Sequence, residues 1–126
     1  MRVLIDTQVF LWGLQGERRI SQRVRILLPE AEVWISVVSL WEIVVKKQIG
    51  KLELPTPTVE YLKEKLKENG VSVLPLTFDH VRRVEDLVLH HRDPFDRILI
   101  AQSIEERLPI ITADPAFSKY PVEIIW

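Results

Sequence analysis

Short apolar runs alternate with helix-type patterns along almost the whole 126-residue chain, and this alternation limits the possible folds more than any other feature. The strand-type runs are RVLID at 2–6, VWIS at 33–36, VSVLPL at 71–76, PIIT at 109–112 and VEIIW at 122–126. Strands separated by helices form parallel sheets with helices packed on both faces. The sequence therefore predicts one three-layer α/β/α domain, residues 1–126, around a mainly parallel sheet of about five strands.

The expected helix boundaries follow from capping residues and from the 3.6-residue period of apolar side chains. A short helix or turn is expected at 7–15, and helices are expected at 22–31, 37–48, from about 58 to 69, at 78–90 and from 93 to about 107. Ser21 is the expected N-cap of the second helix, and Thr56 or Thr58 that of the fourth. Gly70 should end the fourth helix, because glycine readily takes the left-handed conformation found after helix ends.

The pattern at 78–90 predicts an amphipathic helix. Its apolar side chains recur at helical spacing and share one face, formed by Val81, Val84, Leu87 and Val88. We expect this face to be buried. The residues that follow should form a polar helix end, where positive charge interacts favourably with the helix dipole: His90, His91 and Arg92.

Composition limits the compartment and the mode of ligand binding. The chain has no cysteine, which excludes disulfides and thiolate metal sites. No signal peptide and no apolar run of membrane-spanning length is visible, so a cytoplasmic protein without a membrane partner is expected. The formal net charge is −1, which argues against a nucleic-acid binder that relies on bulk positive charge. Any nucleic acid would have to be held by local basic residues or by bound cations.

Two aspartates lie where strands of the predicted sheet end. Asp6 closes the first strand, and Asp114 follows the fourth strand by two residues. Parallel sheets bind ligands at the carboxyl ends of their strands, near the point where the strand order reverses. We therefore expect Asp6 and Asp114 to lie at the same edge of the sheet.

Glu42 is the most informative acid, because it stands inside VVSLWEIVV, where the neighbouring helix positions are nearly all apolar. A helix that is apolar all round is buried. A buried carboxylate costs several kcal/mol unless it is paired or binds a metal ion. The alternative is a surface ion pair with Lys46, one helical turn later.

Each aspartate also has a purely structural interpretation. Asp93 and Asp114 both precede a proline, which is the pattern of an N-cap followed by proline at the first helical position. Asp6 could cap the first helix in the same way. Asp96 could be a first-turn acid that is stabilised by the helix dipole.

A cluster of these carboxylates would have a different meaning. Acids that converge on one sheet edge repel each other and raise each other's pKa unless a cation lies among them. Oxygen ligands without cysteine or clustered histidine favour Mg²⁺ or Mn²⁺ over zinc. Such an ion activates water and stabilises the charge that develops during phosphodiester hydrolysis. It would also supply the positive charge that the chain lacks in bulk.

Four acidic motifs resemble those of PIN-domain ribonucleases, and most closely those of VapC-type toxins from bacterial and archaeal toxin–antitoxin pairs. They are Asp6-Thr7 after the first strand, Glu42 in SVVSLWEI, Asp96 in DPFDRILIAQ and Asp114 in TADPAF. The resemblance covers the whole chain, including the final Ile-Ile-Trp. It implies a PIN-like fold and a Mg²⁺- or Mn²⁺-dependent endoribonuclease that hydrolyses RNA phosphodiester bonds.

The resemblance also implies roles for individual side chains. The implied catalytic metal ligands are Asp6, Glu42, Asp96 and Asp114. Thr7 and Thr112 match polar positions beside these acids and should orient carboxylates by hydrogen bonding. Asp93 is an extra acid that either contributes through water or only caps its helix.

Some candidate contacts with partners are inferred from individual residues, and the partner proteins are inferred from the family resemblance. Arg97 and Lys46 are candidate RNA contacts, and Trp12 is the tryptophan most expected at a partner interface. By family likeness, the protein would form a homodimer and be held inactive by a small antitoxin. That antitoxin would lay an extended or helical segment over apolar surface near the site.

Two other functions remain open at the level of sequence. A phosphotransfer or phosphatase domain would use Asp6 as phosphoryl acceptor or nucleophile. A lysine at the end of a late strand would support that function, but after PIIT the chain continues as Ala-Asp-Pro, with no lysine before Lys119. The other alternative is a non-catalytic PIN-like binding module, in which the aspartates are only helix caps.

Overall fold

The computed structural model describes residues 1–16, 18–90 and 93–126. The strands are β1 Arg2–Ile5, β2 Glu32–Ser36, β3 Ser72–Leu74, β4 Ile110–Ile111 and β5 Ile124–Ile125. The α-helices are α1 Thr7–Leu14, α2 Gln22–Leu27, α3 Val37–Gln48, α4 Thr58–Asn69, α5 Phe78–Asp86 and α6 Pro94–Glu106. Two 3₁₀ turns cover Leu28–Glu30 and Pro115–Lys119. None of the helices in the described ranges is long and apolar enough to cross a membrane.

The five strands form one parallel sheet in the order β3-β2-β1-β4-β5, which confirms the predicted fold class. The chain leaves the central strand β1 first towards β2 and β3, and later returns to β4 and β5 on the other side. The strand order therefore reverses beside the end of β1. The backbone N–H of Asp6 donates to Ile111 O at 3.0 Å, which ties the end of β1 to the end of β4.

The sheet is buried between two apolar layers. Val3 and Ile5 of β1 belong to one core cluster, together with buried residues of α1, α2, α3 and α4. Leu4 points to the opposite face and packs in a second cluster with Leu99 and Ile100 of α6. Successive residues of a strand point to opposite faces, so a short apolar strand such as β1 serves both layers.

The prediction for α5 is wrong in the end of the helix, and only part of the predicted apolar face is covered. The helix ends at Asp86, because Leu87 is extended with φ −73° and ψ 136°. Val81 and Val88 are 49% and 64% exposed. Val84 and Leu87 are half-buried, and His80 is fully buried. Apolar periodicity misleads in part here, because polar side chains of α5 also pack on α6.

Two polar pairs join α5 to α6. His80 Nε2 lies 2.9 Å from Glu106 Oε1, and Arg83 lies 2.8 Å from Glu105 Oε1. The His80 Nδ1 atom accepts the backbone N–H of Thr77, so the neutral imidazole carries its proton on Nε2 and donates it to Glu106. Which side of α5 is buried therefore depends on Glu105 and Glu106 of α6, and the sequence of α5 alone does not reveal these partners.

Other helix ends agree with the sequence only in part. Ser21 caps α2 by accepting the N–H of Val24 at 3.2 Å, and Gly70 ends α4 with φ +64°, so both predictions are confirmed. The fourth helix instead has Pro57 as its N-cap, and Thr58 is its first residue. The second helix is shorter than predicted, because the chain continues as the 3₁₀ turn at Leu28–Glu30.

The polar end predicted for the fifth helix is not part of that helix. His90 lies beyond the end of α5, and its backbone N–H donates to the Tyr120 hydroxyl at 3.1 Å. His91 and Arg92 lie outside the described residues.

Candidate functional site

An acidic pocket of about 330 Å³ lies at the carboxyl edge of the sheet, where the strand order reverses. It is formed by the loops after β1 and β4, by α3 and by the start of α6. Five carboxylates from these elements line it: Asp6, Glu42, Asp93, Asp96 and Asp114. The structure thus brings together all the acids that the sequence singled out.

Asp6 is at once a helix cap and a pocket residue. Its Oδ1 accepts the N–H of Gln8 at 2.6 Å at the start of α1, and Thr112 Oγ1 donates to its Oδ2. Burial raises the pKa of Asp6 above its ordinary value, and the charges of Glu42 and Asp114 raise it further, against the lowering effect of the two hydrogen bonds. Asp6 therefore caps α1 and lines the candidate site at the same time.

Glu42 has an environment that capping does not explain. It projects from the middle of α3 and is only 5% exposed. Its Oε2 pairs with Lys46 Nζ at 2.8 Å, so the predicted i,i+4 pair forms, although its acidic side is buried and not at the surface. Among the described residues, no hydrogen-bond partner reaches the buried Oε1.

Two of the remaining three aspartates also cap helices while they line the pocket, whereas Asp96 lies in the first turn of α6. Asp93 caps α6 by accepting the N–H groups of Phe95 and Asp96 at 2.9 and 3.3 Å. Asp114 caps the 3₁₀ turn by accepting the N–H of Ala116 at 2.9 Å. Capping holds these backbones at the pocket rim, because each cap occupies the loop that leads into its helix.

The two threonines have different contacts. The Thr112 hydroxyl accepts the N–H of Asp114 at 3.1 Å while it donates to Asp6, so it connects the ends of β1 and β4. Thr7 Oγ1 instead donates to Ser39 Oγ on α3 at 2.8 Å. The expectation that Thr7 orients a carboxylate is thus not met by its hydrogen bond, which joins α1 to the helix that carries Glu42.

Sequence reasoning missed Ser36 and Ser39, which are both almost fully buried. Ser36 caps α3 by accepting the N–H of Val38 at 3.1 Å, and Ser39 receives the Thr7 hydrogen bond. The signal was available in part, since a serine directly before a helical run is a typical N-cap. The pairing of Ser39 with Thr7 had no local signal, because the two residues are brought together by packing.

Arg97 and Lys46, the candidate RNA contacts, both have intramolecular partners. The Arg97 guanidinium donates to Val84 O at 3.3 Å and to Val88 O at 3.4 Å, across the C-terminal end of α5. Lys46 lines the acidic pocket while it pairs with Glu42. An RNA contact through either side chain would replace these interactions, and it stays a prediction.

Trp12 lines the acidic pocket and is half-buried. Its ring packs at 6.0 Å from the ring of Trp126, and the Arg19 guanidinium lies 5.8 Å from its centroid. Trp12, the tryptophan expected at a partner interface, therefore also lines the candidate site.

The pocket residues fit a hard divalent cation by their chemistry. All the acidic donors are oxygens, as Mg²⁺ and Mn²⁺ prefer. The unsatisfied buried Oε1 of Glu42 is the kind of atom that such an ion would satisfy. Within the part of the chain that the structure describes, no three acidic or histidine side chains are already grouped as metal ligands. Side-chain rotation away from caps and from Lys46 would be needed.

Comparisons with known proteins identify relatives of this architecture. The family model described as "PIN domain" matches residues 3–123. Among curated protein sequences, none matches the chain.

Three examples of solved structures with the same fold follow. VapBC-5 from Mycobacterium tuberculosis, a member of the VapBC family of toxin–antitoxin systems, has 26% identity and a TM-score of 0.64, with 98% of this chain and 97% of that chain covered. DNA-bound VapBC from Salmonella typhimurium has 14% identity, a TM-score of 0.76 and coverage of 99% and 97%. FitAcB from Neisseria gonorrhoeae has 18% identity, a TM-score of 0.70 and coverage of 100% and 97%.

Proposed function

The chain belongs to the PIN-domain family, and we propose that it is a Mg²⁺- or Mn²⁺-dependent endoribonuclease, the toxin of a type II toxin–antitoxin pair. One observation carries this proposal: Glu42 is buried at the wall of a pocket with four aspartates, and its Oε1 has no hydrogen-bond partner among the described residues. A buried carboxylate without full compensation is costly, and such costs are typically kept where function needs them.

The residues that would hold the metal are Asp6, Glu42, Asp96 and Asp114. When bound there, Mg²⁺ or Mn²⁺ supplies a Lewis acid that activates water and neutralises charge developing on the phosphate. Thr112 would keep Asp6 oriented through its hydroxyl, and the Gln8 N–H would hold the other oxygen of that carboxylate. Asp93 would position Asp96, because its carboxylate accepts the Asp96 N–H.

The non-catalytic alternative explains only part of the pocket. Capping accounts for Asp6, Asp93 and Asp114, since each accepts a backbone N–H at a helix start. Glu42 caps nothing, and burying it beside other acids stabilises no helix. A binding module without metal would be more stable with an apolar or amide side chain at that position.

The phosphotransfer alternative requires an accessible Asp6. That residue is 7% exposed, and both of its carboxylate oxygens already accept hydrogen bonds. Five carboxylates around one pocket would also repel a phosphoryl group unless cations were present. A metal-dependent nuclease uses all of these acids, whereas a phosphoacceptor site needs only some of them.

An antitoxin partner is proposed from the similarity to VapBC-5, a member of the VapBC family of toxin–antitoxin systems. An apolar recess of about 240 Å³, lined in part by Phe10, Leu14, Leu28 and Val33, supports this partner. A short apolar segment of an antitoxin could fill this recess in the manner of helix-in-groove recognition. A homodimer is proposed from family likeness, and the exposed Val37 and Trp41 on α3 support an interface there.

Cleavage of a mixed RNA pool by the purified chain, with Mn²⁺ and with EDTA, tests the function. We expect cleavage with Mn²⁺, loss of cleavage in EDTA, and loss in Glu42→Gln. Glu60→Gln, which changes an exposed acid of α4, is the matched control and should cleave like the wild type. If cleavage survives both EDTA and Glu42→Gln, the metal-nuclease proposal is wrong.

A further inference from the structure

A second recess of about 330 Å³ adjoins the acidic pocket. Its lining residues are Gln8, Leu11, Gln15, Lys46, Lys51 and Leu52. We name it the lysine recess. Gln8 and Lys46 line both the lysine recess and the acidic pocket, so the two spaces are contiguous.

The backbone at the end of α3 brings the two lysines to the same side. Gly50 has φ +76°, and its N–H donates to Lys47 O at 3.1 Å, while the N–H of Lys51 donates to Lys46 O at 2.9 Å. This pair of bonds is a Schellman motif, which turns the chain back over the last helical turn. Lys51 is therefore placed beside Lys46 by the local fold of the chain.

The charge of the lysine recess is opposite to that of the acidic pocket. Its two charged lining residues are both lysines, and its polar neighbours are the uncharged amides of Gln8 and Gln15. Within residues 1–16, 18–90 and 93–126, the Lys51 side chain makes no hydrogen bond or ion pair, and it is exposed. The Lys51 ammonium is thus available to an external anion.

Stabilisation of the α3 dipole does not account for Lys51. Lysines in a last helical turn interact favourably with the helix C-terminus, which is the ordinary explanation for Lys46 and Lys47. Lys51 lies beyond that turn, and the Schellman bonds already satisfy the carbonyls of Lys46 and Lys47. The Lys51 ammonium lies in a recess that no acidic residue lines. It is therefore suited to bind an anion that extends into the acidic pocket.

We propose that the lysine recess binds a backbone phosphate of the RNA strand, adjacent to the phosphodiester that is cleaved in the acidic pocket. This inference rests on the proposed ribonuclease function. Lys51 supplies a permanent cation, and the side-chain amides of Gln8 and Gln15 supply neutral hydrogen-bond donors. The strand would pass from the acidic pocket across Gln8 towards the C-terminal end of α3.

Lys46 is the residue that connects the two spaces. Its ammonium pairs with Glu42 in the acidic pocket, and Lys46 also lines the lysine recess. A phosphate in the recess offers this ammonium a second anionic partner. Lys51 is the cleaner residue for a test, because it has no contact with the proposed metal ligands.

Fluorescence anisotropy with a labelled single-stranded RNA pool of about 20 nucleotides, in EDTA to prevent cleavage, tests this proposal. Lys51→Met should weaken binding about three- to tenfold near 0.1 M salt, and reduce the slope of log K against log [salt] by about 0.7. Lys47→Met is the matched control, because it removes the same charge from a neighbouring residue that lines neither space. It should change the affinity less than about twofold.

Further variants and a second nucleic acid define the ligand. Lys51→Arg should retain the affinity, and unchanged thermal melting of Lys51→Met would show that the fold is intact. Single-stranded DNA shares the phosphodiester, so Lys51→Met should weaken DNA binding by the same factor. Loss restricted to RNA would mean that Lys51 reads the 2′-hydroxyl, and would overturn the phosphate assignment.

Two results separate this inference from the proposed function. If the wild type cleaves RNA in Mn²⁺ while Lys51→Met binds RNA no more weakly than Lys47→Met, the lysine recess is not a phosphate subsite but the nuclease function stands. If the wild type neither binds nor cleaves RNA, both proposals are wrong.

Discussion

Glu42 Oε2 lies 2.8 Å from Lys46 Nζ, in a pair whose acid is buried and whose base is 40% exposed. The ammonium thereby places one positive charge against the acidic pocket. This relationship is asymmetric, because Lys46 can exchange its partner for water at little cost whereas Glu42 cannot. A cation that binds the pocket would compete with Lys46 for the same carboxylate.

Replacing Lys46 by methionine should destabilise the metal-free protein. Methionine keeps the unbranched stem but leaves the Glu42 carboxylate buried without a cation, which should cost about 1–3 kcal/mol in unfolding free energy. Mn²⁺ should then raise the melting temperature of Lys46→Met more than that of the wild type, because the ion no longer competes with an ammonium. Urea and thermal unfolding with and without Mn²⁺ measure both effects.

Lys63→Met, on the exposed face of α4, is the control for loss of a surface lysine. It should change neither the stability nor the Mn²⁺ shift. If Lys46→Met behaves in the same way, then the pair with Glu42 contributes nothing to either quantity.

The buried Asp6 should make stability fall with pH in one window. Burial raises its pKa in the folded state above the value of 3.8 for the free side chain. Between these two pKa values the folded state holds more protons than the unfolded state, so this group's contribution to stability is full below the window and declines as pH rises through it. The metal-free protein at neutral pH therefore retains the cost of a buried, ionised Asp6.

Asp6→Asn should remove this dependence and stabilise the metal-free protein at neutral pH relative to the wild type. The measurement is the difference in unfolding free energy between the two proteins, in EDTA, from about pH 4 to 7. That difference cancels the titration of carboxylates that do not interact with Asp6. A difference that does not change with pH would contradict a raised pKa of Asp6.

Thr112→Val should impair the site through Asp6 and Asp114. The hydroxyl donates to the Asp6 carboxylate and accepts the Asp114 N–H, and valine does neither. We expect a loss of about 1–2 kcal/mol in stability and about 10- to 100-fold in Mn²⁺ affinity. Calorimetric titration with Mn²⁺ measures the second effect, and Thr112→Ser should restore it. An equal loss in serine and valine variants would point to packing of the methyl group instead.

Arg97→Met separates a structural role from RNA contact. The guanidinium donates to the carbonyls of Val84 and Val88, so its loss should lower stability by about 1 kcal/mol. RNA affinity should keep its salt dependence if the side chain only holds the end of α5. A salt slope reduced by about 0.7 with unchanged stability would instead identify Arg97 as a phosphate contact.

Much of the fold was readable from local patterns. The alternation of strand-type and helix-type runs predicted the five-stranded parallel sheet, because short apolar runs between amphipathic segments pair most easily that way. Ser21 and Gly70 marked helix ends correctly, since capping involves only neighbouring backbone groups. Even the Glu42–Lys46 pair follows from the sequence, because its spacing is one helical turn.

The buried side of α5 shows where local patterns fail. Apolar periodicity favoured Val81 and Val88, but the structure buries His80 against Glu106. The hydrogen bond between Thr7 and Ser39 is another contact of this kind, across 32 residues of sequence. Neither could be predicted from one segment, because each depends on the partner helix.

The sequence by itself determined the order of helices and strands, the caps at Ser21 and Gly70 and the place of the acids in each motif, because these depend on interactions within a few residues. Only the tertiary structure decided that the buried Glu42 lies in one pocket with Asp6, and that Lys46 lines both the acidic pocket and the lysine recess. The physical reason is that burial and electrostatic coupling between carboxylates are set by the distance between elements. That distance arises when α1, α3 and α6 pack around the ends of β1 and β4.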